Sequence, residues 1–147
     1  MKLHSGMQEV EFIKEIDESF YFDSDAEYEE AARVGCAISD NAALAVGYEL
    51  AMGSSYASDE GNLRMLEILE KERPTPVVLA AVPVIRSLLQ LEPVARGDVL
   101  GLLSACRRHD NAWSGLGIVM RADASLEKEC EEIMRDWRKA RNLPEEH

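Results

Sequence analysis

The stretch Cys36-Ala37-Ile38-Ser39-Asp40-Asn41-Ala42-Ala43-Leu44-Ala45-Val46-Gly47 returns seventy residues later as Cys106-Arg107-Arg108-His109-Asp110-Asn111-Ala112-Trp113-Ser114-Gly115-Leu116-Gly117. Cys, Asp-Asn-Ala and Gly keep their places in both copies. Halfway between lies a third copy, in which Lys71, Thr75, Pro76, Val77 and Val82 occupy those positions. Asp40, Thr75 and Asp110 are each suited to capping a helix N-terminus and fall 35 residues apart. Five positions beyond each cap stand Ala45, Ala80 and Gly115, all small, and ten beyond stand Leu50, Ile85 and Met120, all apolar. Earlier helix starts follow at Ser24, at Asp59 and between Pro93 and Asp98. A 35-residue period with two helices per unit is the pattern of helical hairpins that stack to share a core.

The rest of the chain reads helical as well. Val10, Ile13, Ile16 and Phe20 recur at three and four residues and predict an amphipathic first helix. Ser24-Asp25-Ala26-Glu27 has the form of a capping box. Ala42 to Met52 is apolar on nearly every side, which predicts a helix buried all round. Pro83 is expected to kink or restart the helix that opens at Thr75-Pro76. Leu126, Cys130, Ile133, Met134 and Trp137 form the apolar stripe of a last helix starting near Asp123 or Ser125. The expectation is one all-α domain of about eight helices. Residues 1–23 form an acidic capping helix and linker, 24–122 three hairpins, 123–142 a C-terminal helix and 143–147 a tail. Over Ser24 to Ala122 this resembles tetratricopeptide-like and HEAT-like helical-hairpin repeat proteins in architecture. The Trp, Leu-Gly and Tyr pattern of the tetratricopeptide first helix is missing, and an irregular orthogonal helical bundle is the alternative.

With 28 acidic and 16 basic side chains the chain carries a net charge of −12. That disfavours nucleic acid or an anionic membrane surface as partner, because both need clustered Lys and Arg. The longest apolar run, Val77 to Ile85, is far too short to span a bilayer. Cys36, Cys106 and Cys130 are odd in number and widely spaced, as expected of reduced, buried thiols in a cytoplasmic protein.

Candidate chemistry is sparse. Cys106 and His109 have the spacing of two zinc ligands, or of a nucleophilic pair oriented by Asp110, but no second ligand pair follows. Cys36 sits at the equivalent repeat position with no histidine nearby, which favours a packing role for both thiols. Glu11/Glu15 and Glu127/Glu131 are spaced as solvated helix faces. The chain contains neither a His-Glu-x-x-His motif nor a glycine-rich phosphate loop. No catalytic, cofactor or metal residue is expected.

Charge placement says more. Residues 1–32 hold ten acids against two bases, whereas 33–120 hold ten against eight and 121–147 eight against six. Within the first segment Asp17, Glu18, Asp23 and Asp25 surround Phe20, Tyr21 and Phe22. Carboxylates interleaved with rings can steer a basic partner and anchor it, and loop-borne Tyr56 could add to such a surface. The expected function is a small acidic, non-enzymatic protein-binding domain of the inhibitor, immunity or antitoxin kind, neutralising a basic protein. The alternatives are a helical-repeat adaptor or self-associating (homodimeric) structural protein, and a Cys/His-dependent enzyme.

Overall fold

The computed structural model describes residues 3–19, 24–53 and 58–141. They form α1 (Glu9–Ser19), α2 (Asp25–Ile38), α3 (Asp40–Ala51), α4 (Asp59–Glu72), α5 (Pro76–Leu89), α6 (Arg96–Arg107), α7 (Trp113–Ala122) and α8 (Glu127–Ala140). A single 3-10 turn, Ala124–Leu126, leads into α8. Among the described residues there is no strand, so the class is all-α. No described helix is long and apolar enough to cross a membrane.

Several helices begin where a serine, rather than the neighbouring acid, can cap. Ser39 Oγ accepts the Ala42 N–H at 3.0 Å and Ser58 Oγ accepts the Gly61 N–H at 3.0 Å. Asp40 and Asp59 then fall in the first turn, where a carboxylate still complements the helix dipole. Asp98 likewise lies inside α6, which opens at Ala95, and Asp110 precedes α7, which opens at Ala112. Of the three equally spaced capping residues only Thr75 is an N-cap, and it makes no side-chain capping bond. Ser24 does cap α2, accepting the Glu27 N–H at 3.4 Å. Pro83 does not restart α5, which runs through it as one element. The proline removes the N–H that would bond the Leu79 carbonyl, and Leu79 lies on the exposed side of the helix.

The three hairpins are α2–α3, α4–α5 and α6–α7, and successive ones pack together: α2 on α4, α3 on α5, α5 on α6 and α7. In an open array the first and third units would not meet. Here α3 also packs directly on α7, so the stack closes on itself. The second helices of all three hairpins therefore form the inner layer, with α1 laid on α3 and α8 on α7. Helix α3 is at the centre, and every residue from Asn41 to Ala51 except Tyr48 is buried.

Glycine makes the inner contacts close enough. A Cβ on Gly47 would lie 2.7 Å from Ile85 Cδ1 and 3.7 Å from Ile118 Cδ1, and one on Gly117 would lie 2.9 Å from the Tyr48 ring. A Cβ on Gly115 would meet Cys106 Sγ at 2.9 Å and Leu44 Cδ1 at 3.4 Å. Gly47 and Gly117 are the matched glycines of the repeated motif. Because residue 41 meets 114, 44 meets 115 and 47 meets 118, nearly equivalent positions of α3 and α7 lie side by side and the two helices run the same way.

Candidate functional site

Parallel α3 and α7 bring their N-terminal ends, and the hairpin corners leading into them, to one end of the molecule. The corner of the middle hairpin joins them there through Arg73. Asp40 Oδ1 accepts Arg73 Nε at 2.7 Å, and Arg73 Nη1 donates to the Cys36 carbonyl at 3.0 Å. His109 Nε2 lies 3.0 Å from Asp40 Oδ2, while Nδ1 accepts the Asn111 N–H at 2.9 Å. That backbone donor places the imidazole proton on Nε2, pointing at the carboxylate. Burial pushes the Asp40 carboxyl up, but the bonds from Arg73 and His109 outweigh it and hold the group below the ordinary aspartate value. The Thr75 hydroxyl is buried beside it, close enough to help, without a hydrogen bond of ordinary geometry.

A second carboxylate arrives from α1. Glu9 Oε2 accepts the Ser39 hydroxyl at 2.6 Å, and Oε1 accepts the side-chain amides of Asn41 at 3.2 Å and Asn111 at 2.9 Å. Asn41 Oδ1 in turn accepts the Ser114 N–H at 3.1 Å. Asn41 and Asn111 are matched residues of the repeat, so one oxygen is shared by equivalent groups of the two copies. The anion sits where two helix N-termini converge, which is the favourable place for negative charge.

Above this polar floor runs a groove of about 620 Å³ between α1 and the start of α7. Val10, Ile13, Lys14 and Asp17 line it from α1, Trp113 and Ser114 from α7, and Arg141 from the end of α8. Trp113 is braced edge-on by Trp137, with ring centroids 4.8 Å apart, and Arg138 lies over its ring at 5.6 Å. Arg141 is held by the Trp137 carbonyl at 3.3 Å and by the Asp110 carbonyl. Val10 is 76% exposed, an aliphatic side chain left in water at the mouth of the groove.

The structure separates the acids expected to bind a partner. Asp17 lines the groove, and Glu18 is exposed beside it; with Glu11 they make no ion pair among the described residues. Asp25 is occupied differently: Oδ1 accepts the Ser58 N–H at 3.2 Å and Oδ2 the Ser58 hydroxyl at 2.8 Å, tying the start of α2 to that of α4. Ion pairs further along α2 also bridge hairpins, Glu29 with Arg64 at 2.5 Å and Arg33 with Glu72 of α4 at 3.5 Å. Phe20, Tyr21, Phe22, Asp23 and Tyr56 lie outside the described residues.

Cys106 and His109 do not form a pair, because both ring nitrogens of His109 are engaged elsewhere. Cys106 is fully buried and desolvation pushes its thiol up to about 12, so it is protonated at neutral pH. Cys36 and Cys130 are buried and free too. Among the described residues no group of three or more His, Cys, Asp or Glu is arranged to hold a metal. Glu9, Arg73 and Asn111 carried no sequence signal as site residues beyond the repeated Asp-Asn pair, which is more identity than a cap requires. No known protein family, curated protein or solved structure matches the chain.

Proposed function

We propose that this protein binds another protein by contact rather than by catalysis, and that its α1 end captures a basic partner in the manner of an inhibitor or immunity protein. The observation that carries the reading is the juxtaposition on α1 of an exposed apolar groove lining with carboxylates, Glu11, Asp17 and Glu18, that make no ion pair among the described residues. In α2, Asp25 bonds to Ser58 and Glu29 to Arg64, so these two acids serve contacts within the fold. Charge of one sign beside an apolar anchor accelerates encounter and then holds the complex. Three free, buried cysteines suit a reducing compartment.

The partner is sought by pull-down and its affinity measured against salt. Replacing Asp17 and Glu18 together by Asn and Gln is expected to weaken binding about tenfold at low ionic strength and to flatten the salt dependence. Unchanged affinity and an unchanged salt slope refute the reading.

A further inference from the structure

Helix α1 presents three faces. Phe12 and Ile16 are buried against the core, with Glu9 beside them on the shared amides. Glu11, Glu15 and Glu18, spaced four and three apart, form a carboxylate edge. Between these faces Val10, Ile13, Lys14 and Asp17 recur at three, four and seven residues and line the groove. This is the ridge that a second helix packs against. From Val10 to Asp17 it runs for about 10 Å, at 1.5 Å per residue. The space beside it, about 620 Å³, is open to solvent and more than one side chain can fill. Val10 and Ile13 on one side and Trp113 on the other give the groove apolar walls, and charged side chains rim it.

Resting on the reading proposed above, we infer that the groove seats an amphipathic helix of the partner. Its aliphatic side chains pack on Val10, Ile13 and Trp113, and its Lys or Arg flank lies along Glu11, Asp17 and Glu18. Charge complementarity selects the basic flank. Four carboxylates outnumber the single Lys14 on the outward faces of α1, and Arg141 across the groove already has the Asp110 carboxylate 4.0 Å away. A helix laid i, i+3, i+4, i+7 into such a groove is a recurring mode of recognition. The floor amides are bonded to Glu9, so the apolar strip above them supplies the anchor.

The test uses the intact chain and three synthetic 14-residue peptides. One places Leu at i, i+3, i+4 and i+7 with Lys elsewhere, one scrambles that composition, and one keeps the leucines but replaces every Lys by Glu. Binding is read by backbone amide shifts in NMR, with Val10→Ser as the variant, since that side chain is exposed and its change leaves both the core and the charge intact. The inference expects shifts centred on Val10, Ile13, Asp17, Trp113 and Ser114, a weaker scrambled peptide, no binding of the acidic one, and about a tenfold loss with Val10→Ser. Equal binding of both Lys peptides, or binding that Val10→Ser leaves unchanged, overturns the helix-in-groove arrangement while leaving the acidic capture reading intact. Failure of every Lys peptide to bind overturns both.

Discussion

The two copies of the Cys-x-x-x-Asp-Asn-Ala-x-x-x-x-Gly motif begin with the same residues and arrive at different places. In the first, Asp40 is one-sixth exposed and carries bonds from Arg73 and His109; in the second, Asp110 is 91% exposed and lies 4.0 Å from Arg141 and 3.8 Å from His109. Ser39 caps its helix, whereas His109, its equivalent, turns away from α7 to reach Asp40. Yet the amides and the glycines behave alike. Asn41 and Asn111 share Glu9, and Gly47 and Gly117 each admit a side chain of the other copy or its neighbours. The part of the motif that stayed identical in role is the part at which the copies touch each other. The part that diverged faces different surroundings: the middle hairpin packs beside Asp40, and solvent lies beside Asp110.

This difference can be broken experimentally, and the largest effect is expected at the glycines. Gly47 is enclosed by Ile85, Ile118 and Leu69, so Gly47→Val overpacks the centre and is expected to cost about 3 kcal/mol in urea unfolding. Gly117→Val first meets the Tyr48 ring, which is half-buried rather than enclosed in the core, and the loss should be clearly smaller. Equal losses would mean that the closed inner layer is not centred on α3.

The carboxylates come next. Asp40→Ala strands Arg73 and removes the acceptor of His109, with an expected loss of about 2 kcal/mol, while Asp110→Ala should leave the unfolding midpoint where it was. The pH dependence has a definite sign. Because the Asp40 carboxyl is lowered below 3.8 on folding, its contribution is complete above that value and fades as pH falls through the folded one. The wild-type advantage over Asp40→Ala should therefore be full near pH 6 and shrink below about pH 4. An advantage independent of pH in acid would show that the ion pair is not its source.

The smallest effect concerns the exit from the middle hairpin, which lacks the motif. Leu91 there adopts φ 54° with its side chain 93% exposed, a left-handed conformation that glycine adopts without strain. Leu91→Gly is expected to stabilise the protein by about 0.5–1 kcal/mol, read as a higher thermal midpoint. Destabilisation would show that the leucine makes a contact worth more than the strain.

Much of this was legible beforehand where it depended on local pattern. The 3.6-residue periodicity placed the helices, the all-round apolar stretch of α3 announced its burial, and the odd cysteines proved free and buried. Capping was misplaced by one residue at Ser39 and Ser58, because aspartate and serine serve equally well at a helix start and only the backbone turn decides between them. The acidic residues of α2 looked equivalent to those of α1 in a list of charges. Asp25 and Asp17 separate only when Ser58 and the groove are seen beside them.

The sequence by itself determined an all-α chain of hairpins on a 35-residue spacing, with small residues where helices must approach, since those choices answer to period, propensity and side-chain volume. Tertiary structure alone decided that the first and third hairpins meet. It also decided that Glu9 joins residues as far apart as Ser39 and Asn111, and that Val10 and Trp113 become two walls of one groove. Contacts between positions a hundred residues apart are set by how the stack curves, and that curvature is the sum of many inter-helix packings that no local stretch encodes.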